Sequence, residues 1–122
     1  MKVEKYRGVE YVAQEITTAL NRLIKEKSGG DLTVSHTHNP DNQTSTISYS
    51  IAGITTELTV YKDGRKLHLT QTNQGKGLES KTEKEIKPKR SKEGRISQTW
   101  TTQFAKSSFQ NLKDFYKKLN SE

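Results

Sequence analysis

The densest run of chemistry in this chain is "KPKRSKEGR", Lys87 to Arg95. Lys87, Lys89, Arg90, Lys92 and Arg95 set five cations against one carboxylate, Glu93. Cations packed this closely can neutralise successive phosphates of a nucleic acid. That term comes from counterion release, so it needs charge density and reach more than fixed geometry. Upstream, Lys81 and Lys84 extend the run, but Glu79, Glu83 and Glu85 interleave with them. Interleaved charge also fits a solvated linker, or a loop that orders on a protein partner. Lys113 and Lys117 lie four residues apart and would share a helical face. The candidate phosphate contacts are therefore Lys84, Lys87, Lys89, Arg90, Lys92, Arg95, Lys113 and Lys117.

Other residue types offer less. His36 and His38 alternate on a strand, so both imidazoles share a face that a metal site can use. No third ligand is fixed by spacing: His68 falls out of phase with Leu67 and Leu69, and Asp41 sits in a turn. No metal is expected, although these histidines are groups that titrate near neutral pH. Tyr61, with Lys66 and His68 nearby, is a single aromatic on the face opposite the core. Sheets that read RNA stack bases on two or three aromatics. Trp100 stands beside Phe104, between Arg95 and Lys106. It reads as a cap on the core or, if exposed, as a binding hot spot. Ile86, Trp100 and Tyr61 are the candidate contacts for a protein partner.

Signatures of catalysis are missing: no HExxH, no GxxxxGK[ST] and no G-x-S-x-G occurs. Gly75-Lys76-Gly77 runs into charged sequence, unlike a phosphate loop. Among the strands Glu57 offers a lone carboxylate, so no acid–base pair is evident. The expectation is a non-enzymatic protein without a cofactor.

The 122 residues suit a single domain over 1–122. Only 29% are hydrophobic, against roughly 45–50% in ordinary domains, so the core must be thin. Formal charge is +7, which favours polyanionic partners. The surplus is uneven: residues 29–75 hold three basic and four acidic side chains, whereas residues 76–95 hold eight and four. Cysteine is absent, which removes disulfides and thiolate chemistry. "MKVEKYRGVEYV" lacks the apolar segment of a secretory signal, and no window approaches the 18 or so apolar residues of a membrane span. The expected location is the cytoplasm, away from membranes.

The elements that must position these residues follow from periodicity. Val9, Val12, Ile16, Ala19, Leu20, Leu23 and Ile24 recur at helical spacing, predicting a helix over roughly Gly8–Lys27 that Ser28-Gly29-Gly30 ends. Thr17 and Thr18 are poor helix formers, so packing must hold them. From Leu32 the period becomes two. Four strands follow, "LTVSHTH", "TISYSI", "ITTELTV" and "KLHLTQ", with tight hairpins at "AG" and "DG", the latter read as type I′. Residues 1–7 fit either a strand or a lead-in. Residues from about 75 to 95 read as a flexible basic loop, and "RISQTWTT" as a possible short fifth strand. Phe104, Leu112, Phe115 and Leu119 trace a second helix starting near Thr101 or Thr102. The predicted fold is α+β: a two-layer sandwich with an antiparallel meander and both helices on one sheet face.

This helix–sheet–helix order resembles that of double-stranded-RNA-binding domains in outline. Those domains carry a "GPxH"-like loop and a "KKxAK"-like cluster; this chain has "NPDN" and "AG" in its turns and "TTQFAKSSF" at the last helix. No residue role carries over. The leading functional expectation is a small module contacting DNA or RNA phosphates through its basic loop and C-terminal helix. The alternative is a protein-binding module: an inhibitor or adaptor of mobile-element origin, or a self-assembling subunit.

Overall fold

Alternation of apolar and polar residues gives a strand one dry and one wet face, and the three central strands of the sheet obey that rule closely. In the computed structural model, which describes residues 6–28 and 33–121, the elements are α1 (Val9–Ser28), β1 (Ser35–Asn39), β2 (Thr44–Ile51), β3 (Ile54–Asp63), β4 (Lys66–Gly75), β5 (Leu78–Ile86) and α2 (Gln98–Asn120). The sheet is a meander in the order β1-β2-β3-β4-β5, antiparallel throughout. Ile47, Ile54, Leu58, Val60 and Leu69 point to one face and are buried. Both helices cover that face, α1 over β1–β3 and α2 over β3 and β4, and they pack on each other. The predicted α+β sandwich is the observed one. No helix among the described residues is long and apolar enough to cross a membrane.

The hairpins set the register. Ala52 and Gly53 both have positive φ (53° and 80°), as do Lys76 and Gly77 (51° and 77°), which is the type I′ pattern that matches strand twist. At the β3–β4 turn the central residues are Gly64 and Arg65, since Asp63 pairs with Lys66. Only Gly64 has positive φ there (66°), the type II′ pattern. The turn thus sits one residue later than "DG" suggested. At the far end of β4, Gly75 lies against α2. A Cβ there would stand 3.2 Å from both Ile54 Cγ1 and Leu119 Cδ1, so a side chain would fit only if these neighbours gave way by a few tenths of an ångström.

Two expectations need correction. The loop anticipated over about 75–95 is largely strand: β5 occupies Leu78–Ile86, and the connection to α2 shrinks to residues 87–97. The fifth strand therefore lies upstream of "RISQTWTT". In that segment Ile96 makes one isolated bridge with Arg90, and helix begins at Gln98, before Thr101 or Thr102. Ser97 caps it, its hydroxyl accepting from Trp100 N–H at 3.4 Å. Pro88 falls beyond the end of β5, so its missing N–H breaks no ladder bond.

In α1, Thr17 and Thr18 donate their hydroxyls to the Ala13 and Gln14 carbonyls at 2.7 and 3.0 Å; Thr17 is also buried, so packing does hold this stretch. The proposed glycine cap at Gly29-Gly30, the strand position of Leu32 and the fate of residues 1–5 lie outside the described residues.

The thin apolar core is extended by a buried polar seam between the sheet and α2. Asn73 Oδ1 accepts from Thr56 Oγ1 (2.8 Å) and Gln71 Nε2 (3.3 Å), while Asn73 Nδ2 donates to Asn111 Oδ1 (2.7 Å) and Ser80 Oγ (3.0 Å). Gln71 also exchanges hydrogen bonds with Ser108, whose hydroxyl donates to Gln71 Oε1 at 2.9 Å. Asn73 and Thr56 are fully buried. A satisfied network of this kind fixes how α2 sits on β4.

Candidate nucleic-acid interface

Strand parity sorts the charges of β5. Leu67 pairs with Ile86, Leu69 with Lys84 and Asn73 with Ser80, so Leu78, Ser80, Thr82, Lys84 and Ile86 share the helix-covered side. Glu79, Lys81, Glu83 and Glu85 lie on the open face. By the same register Glu57 and Asp63 join them from β3, and Lys66 from β4. The open face thus carries five carboxylates against two lysines, amid threonine and serine. A chain of +7 presents an acidic sheet face.

The cations gather elsewhere. Residues 87–97 form a small turn of their own: Ser91 N–H donates to Arg95 O at 2.8 Å, Gly94 N–H to Ser91 O at 3.0 Å and Ser97 N–H to Lys89 O at 2.8 Å. Arg90 Nη1 donates to the Tyr6 and Gly94 carbonyls. Arg95 Nε donates to Tyr6 Oη at 3.1 Å and its guanidinium lies over that ring at 5.5 Å. Ile96 N–H donates to Tyr11 Oη at 3.0 Å. These bonds dock the turn on the start of α1. Arg90 and Arg95 are thereby tied into the fold, whereas Lys89 and Lys92 project into solvent. Lys87 is exposed and lies 3.9 Å from Glu85, which also faces Lys66 at 4.0 Å. Exposed pairs this long contribute little.

Beside this turn is a concavity of about 580 Å³ lined by Arg7, Lys62, Gly64, Arg65, Leu67 and Arg90. Four of its six lining residues are cationic and none is acidic. Burial lowers the Arg90 pKa from its ordinary value, Tyr11 partly opposes this, and the like charge of Arg7 lowers it further. The topology explains the convergence. In an up-and-down meander the β3–β4 turn and the end of β5 lie at the same end of the sheet, so "KDGRK" must stand beside "KPKRSK".

Several expected contacts lie apart from this cluster. Lys84 sits over the Phe104 ring at 5.1 Å, and Lys113 over Phe109 at 5.8 Å. Lys113 and Lys117 are exposed but belong to the part of α2 that approaches Gly75. At roughly 3.3 Å per residue, Gly75 is about 26 Å along β4 from Leu67. The C-terminal helix therefore does not extend the basic patch. Ile86 is buried at 5%. Its parity turns it inward opposite Leu67, so it is a core residue and not an exposed partner contact. Trp100 is half-buried, packs on the core and stacks on Phe104 with centroids 5.3 Å apart. Tyr61 stacks on His68 at 5.6 Å on the open face. His36 Nδ1 contacts Gln14 Oε1 at 3.1 Å and His38 Nδ1 contacts Ser45 Oγ at 2.7 Å, so each imidazole has a protein partner. No group of three or more potential metal ligands occurs among the described residues.

Sequence reasoning passed over Arg7, Lys62 and Arg65. Arg7 stands in the lead-in, and Lys62 and Arg65 flank a hairpin turn in a segment of low net charge, so local charge counting gives them little weight. The meander itself held the signal, because it fixes which turns share an end. Comparison of the chain with protein-family models, curated proteins and solved structures finds no match.

Proposed function

We propose that this protein is a non-enzymatic, cytoplasmic nucleic-acid-binding module that holds phosphates at the β3–β4 end of its sheet. Lys87, Lys89 and Lys92 form the solvent-facing part of the contact. Arg7, Lys62 and Arg65 line the concavity beside them. Arg90 and Arg95 hold the turn in place, and Arg90 adds its charge to the site. One observation carries this reading: cations from three separate segments converge around an acid-free hollow, while the carboxylates of β3 and β5 are sorted to the open face. Contacts of this kind position a backbone and carry little sequence information.

Fluorescence anisotropy against single-stranded DNA, duplex DNA and duplex RNA at several salt concentrations tests the reading. The expected result is micromolar or tighter binding at about 50 mM salt, with a log–log salt slope near −4 to −6. Absence of binding to all three at that salt rejects it.

A second reading rests on β5. No strand among the described residues pairs with its outer edge, and Leu78 at its start is 45% exposed. An edge of nine residues suits strand addition by a protein partner or a second copy. Light scattering after size exclusion separates a self-pairing dimer from a monomer.

A further inference from the structure

The concavity differs from an ordinary basic patch in three ways. Its cations surround a hollow instead of forming a row: the β3–β4 hairpin supplies Lys62 and Arg65, and Arg7 and Arg90 complete the lining. Its remaining lining residues are Gly64 and the buried Leu67, so it has an apolar element and no carboxylate. Arg7 and Arg90 repel each other within it, as the lowered Arg90 pKa reflects after the larger effect of burial. Like charges gathered around one hollow repel, and an anion of high charge density that joins them relieves that repulsion.

An internal phosphodiester matches the charge of this hollow less well than a phosphomonoester does. It carries one negative charge, and its chain must enter and leave on opposite sides. A terminal phosphate carries about −1.5 to −2 charge at pH 7 and has three free oxygens. It also continues in one direction only. Guanidinium groups bind such oxygens through paired N–H bonds. Arg90 can take part because both of its bonds to described residues run from Nη1, out of the five N–H groups a guanidinium offers.

Building on the proposed nucleic-acid reading, we infer that the Arg7–Lys62–Arg65–Arg90 hollow is a seat for the terminal phosphate of a nucleic-acid strand. The protein then distinguishes phosphorylated ends from hydroxyl ends, while Lys87, Lys89 and Lys92 hold the adjoining backbone. The chemistry recognised is a phosphomonoester, which either end of a strand can present.

The test uses one oligonucleotide sequence in three forms: 5′-phosphorylated, 3′-phosphorylated and hydroxyl at both ends. Each is titrated by anisotropy with an internal label at fixed salt. One of the two phosphorylated forms is expected to bind about tenfold tighter than the hydroxyl form, the worth of one further charge-assisted hydrogen bond. In Lys62→Gln/Arg65→Gln this advantage disappears, while Lys89→Gln/Lys92→Gln weakens all three forms together and keeps it. Both pairs are exposed, and circular dichroism confirms that each variant is folded. Equal binding of all three forms by the wild-type protein overturns the inference and leaves the nucleic-acid reading intact. No binding of any form at about 50 mM salt overturns both. An advantage that survives Lys62→Gln/Arg65→Gln overturns the assignment to this hollow.

Discussion

The two sides of the sheet make different use of the same alternation. On the side covered by helices, Ile47, Leu58, Val60 and Leu69 form the core, and Thr56, Gln71 and Asn73 bond into the seam beneath α2. On the open side, threonine and serine alternate with Glu57, Glu79, Glu83 and Glu85. The positive excess lies on neither face of the central strands. It gathers at the end of the sheet where "KDGRK" meets "KPKRSK". Net charge is therefore a poor guide to this molecule's surface: repulsion on one face and attraction at one end coexist in a protein of +7. A polyanion approaching the open sheet meets mostly carboxylates, whereas one approaching the hairpin end meets an excess of cations and a hollow with no acidic residue in its lining.

The sharpest way to break this contrast is to reverse charge in each region separately. Lys62→Glu/Arg65→Glu/Lys89→Glu is expected to weaken nucleic-acid binding on the order of a thousandfold at low salt and to flatten the salt slope by about three. Glu57→Lys/Glu79→Lys/Glu83→Lys, the same number of reversals on the open face, is expected to leave binding unchanged or strengthen it several-fold. Anisotropy titrations on both variants decide the matter. Equal weakening by both would mean that overall charge is irrelevant and that some other contact holds the ligand.

Adjacent residues on β4 provide the next contrast. Asn73 is fully buried and makes four hydrogen bonds, whereas Thr72 lies on the open face. Asn73→Ala strands Asn111 and part of Thr56 and Gln71. It is expected to cost about 3 kcal/mol, the upper end for unpairing buried polar groups. Thr72→Ala is expected to stay within about 0.5 kcal/mol. Urea denaturation measures both. A small loss for Asn73→Ala would show that water replaces the seam.

The same alternation explains how much was legible in advance. β2, β3 and β4 announce themselves because apolar residues mark one face, as in Ile54, Thr56, Leu58 and Val60. β5 hides because its dry positions are Leu78, Ser80, Thr82, Lys84 and Ile86: apolar only at the ends, with the seam and α2 covering the middle incompletely. Its period of two is written in charge, with Glu79, Glu83 and Glu85 on one side, and a hydropathy reading takes it for a loop. The basic turn itself was visible as "KPKRSK". Its neighbours were not: Lys62 and Arg65 join it only through the path of the meander, and Arg7 through the docking of Tyr6 on Arg90 and Arg95. Arg90 and Arg95 look like the other cations in sequence, and only their bonds to Tyr6 and Gly94 separate anchoring from display.

The smallest expected effect concerns the histidines on opposite faces. His36 is on the covered side, bonded through Nδ1 to Gln14, and its Nε2 is buried without a hydrogen-bond partner among the described residues. Burial lowers its pKa below the ordinary 6.5; Glu10 opposes the shift, and His38 adds to it. A base whose folded pKa is depressed takes up its proton more readily in the unfolded chain. Its contribution to stability is therefore complete above about pH 6.5 and lost as the pH falls through that value toward the lower folded pKa. Thermal unfolding followed between pH 7.5 and pH 5 is expected to show this decline in the wild-type protein and a shallower one in His36→Gln, which keeps a polar group but cannot protonate. His68→Gln removes an imidazole from the open face and is the matched comparison. If it flattens the decline as much as His36→Gln does, burial against α1 is not the cause, and the two faces do not differ in how they treat a charge.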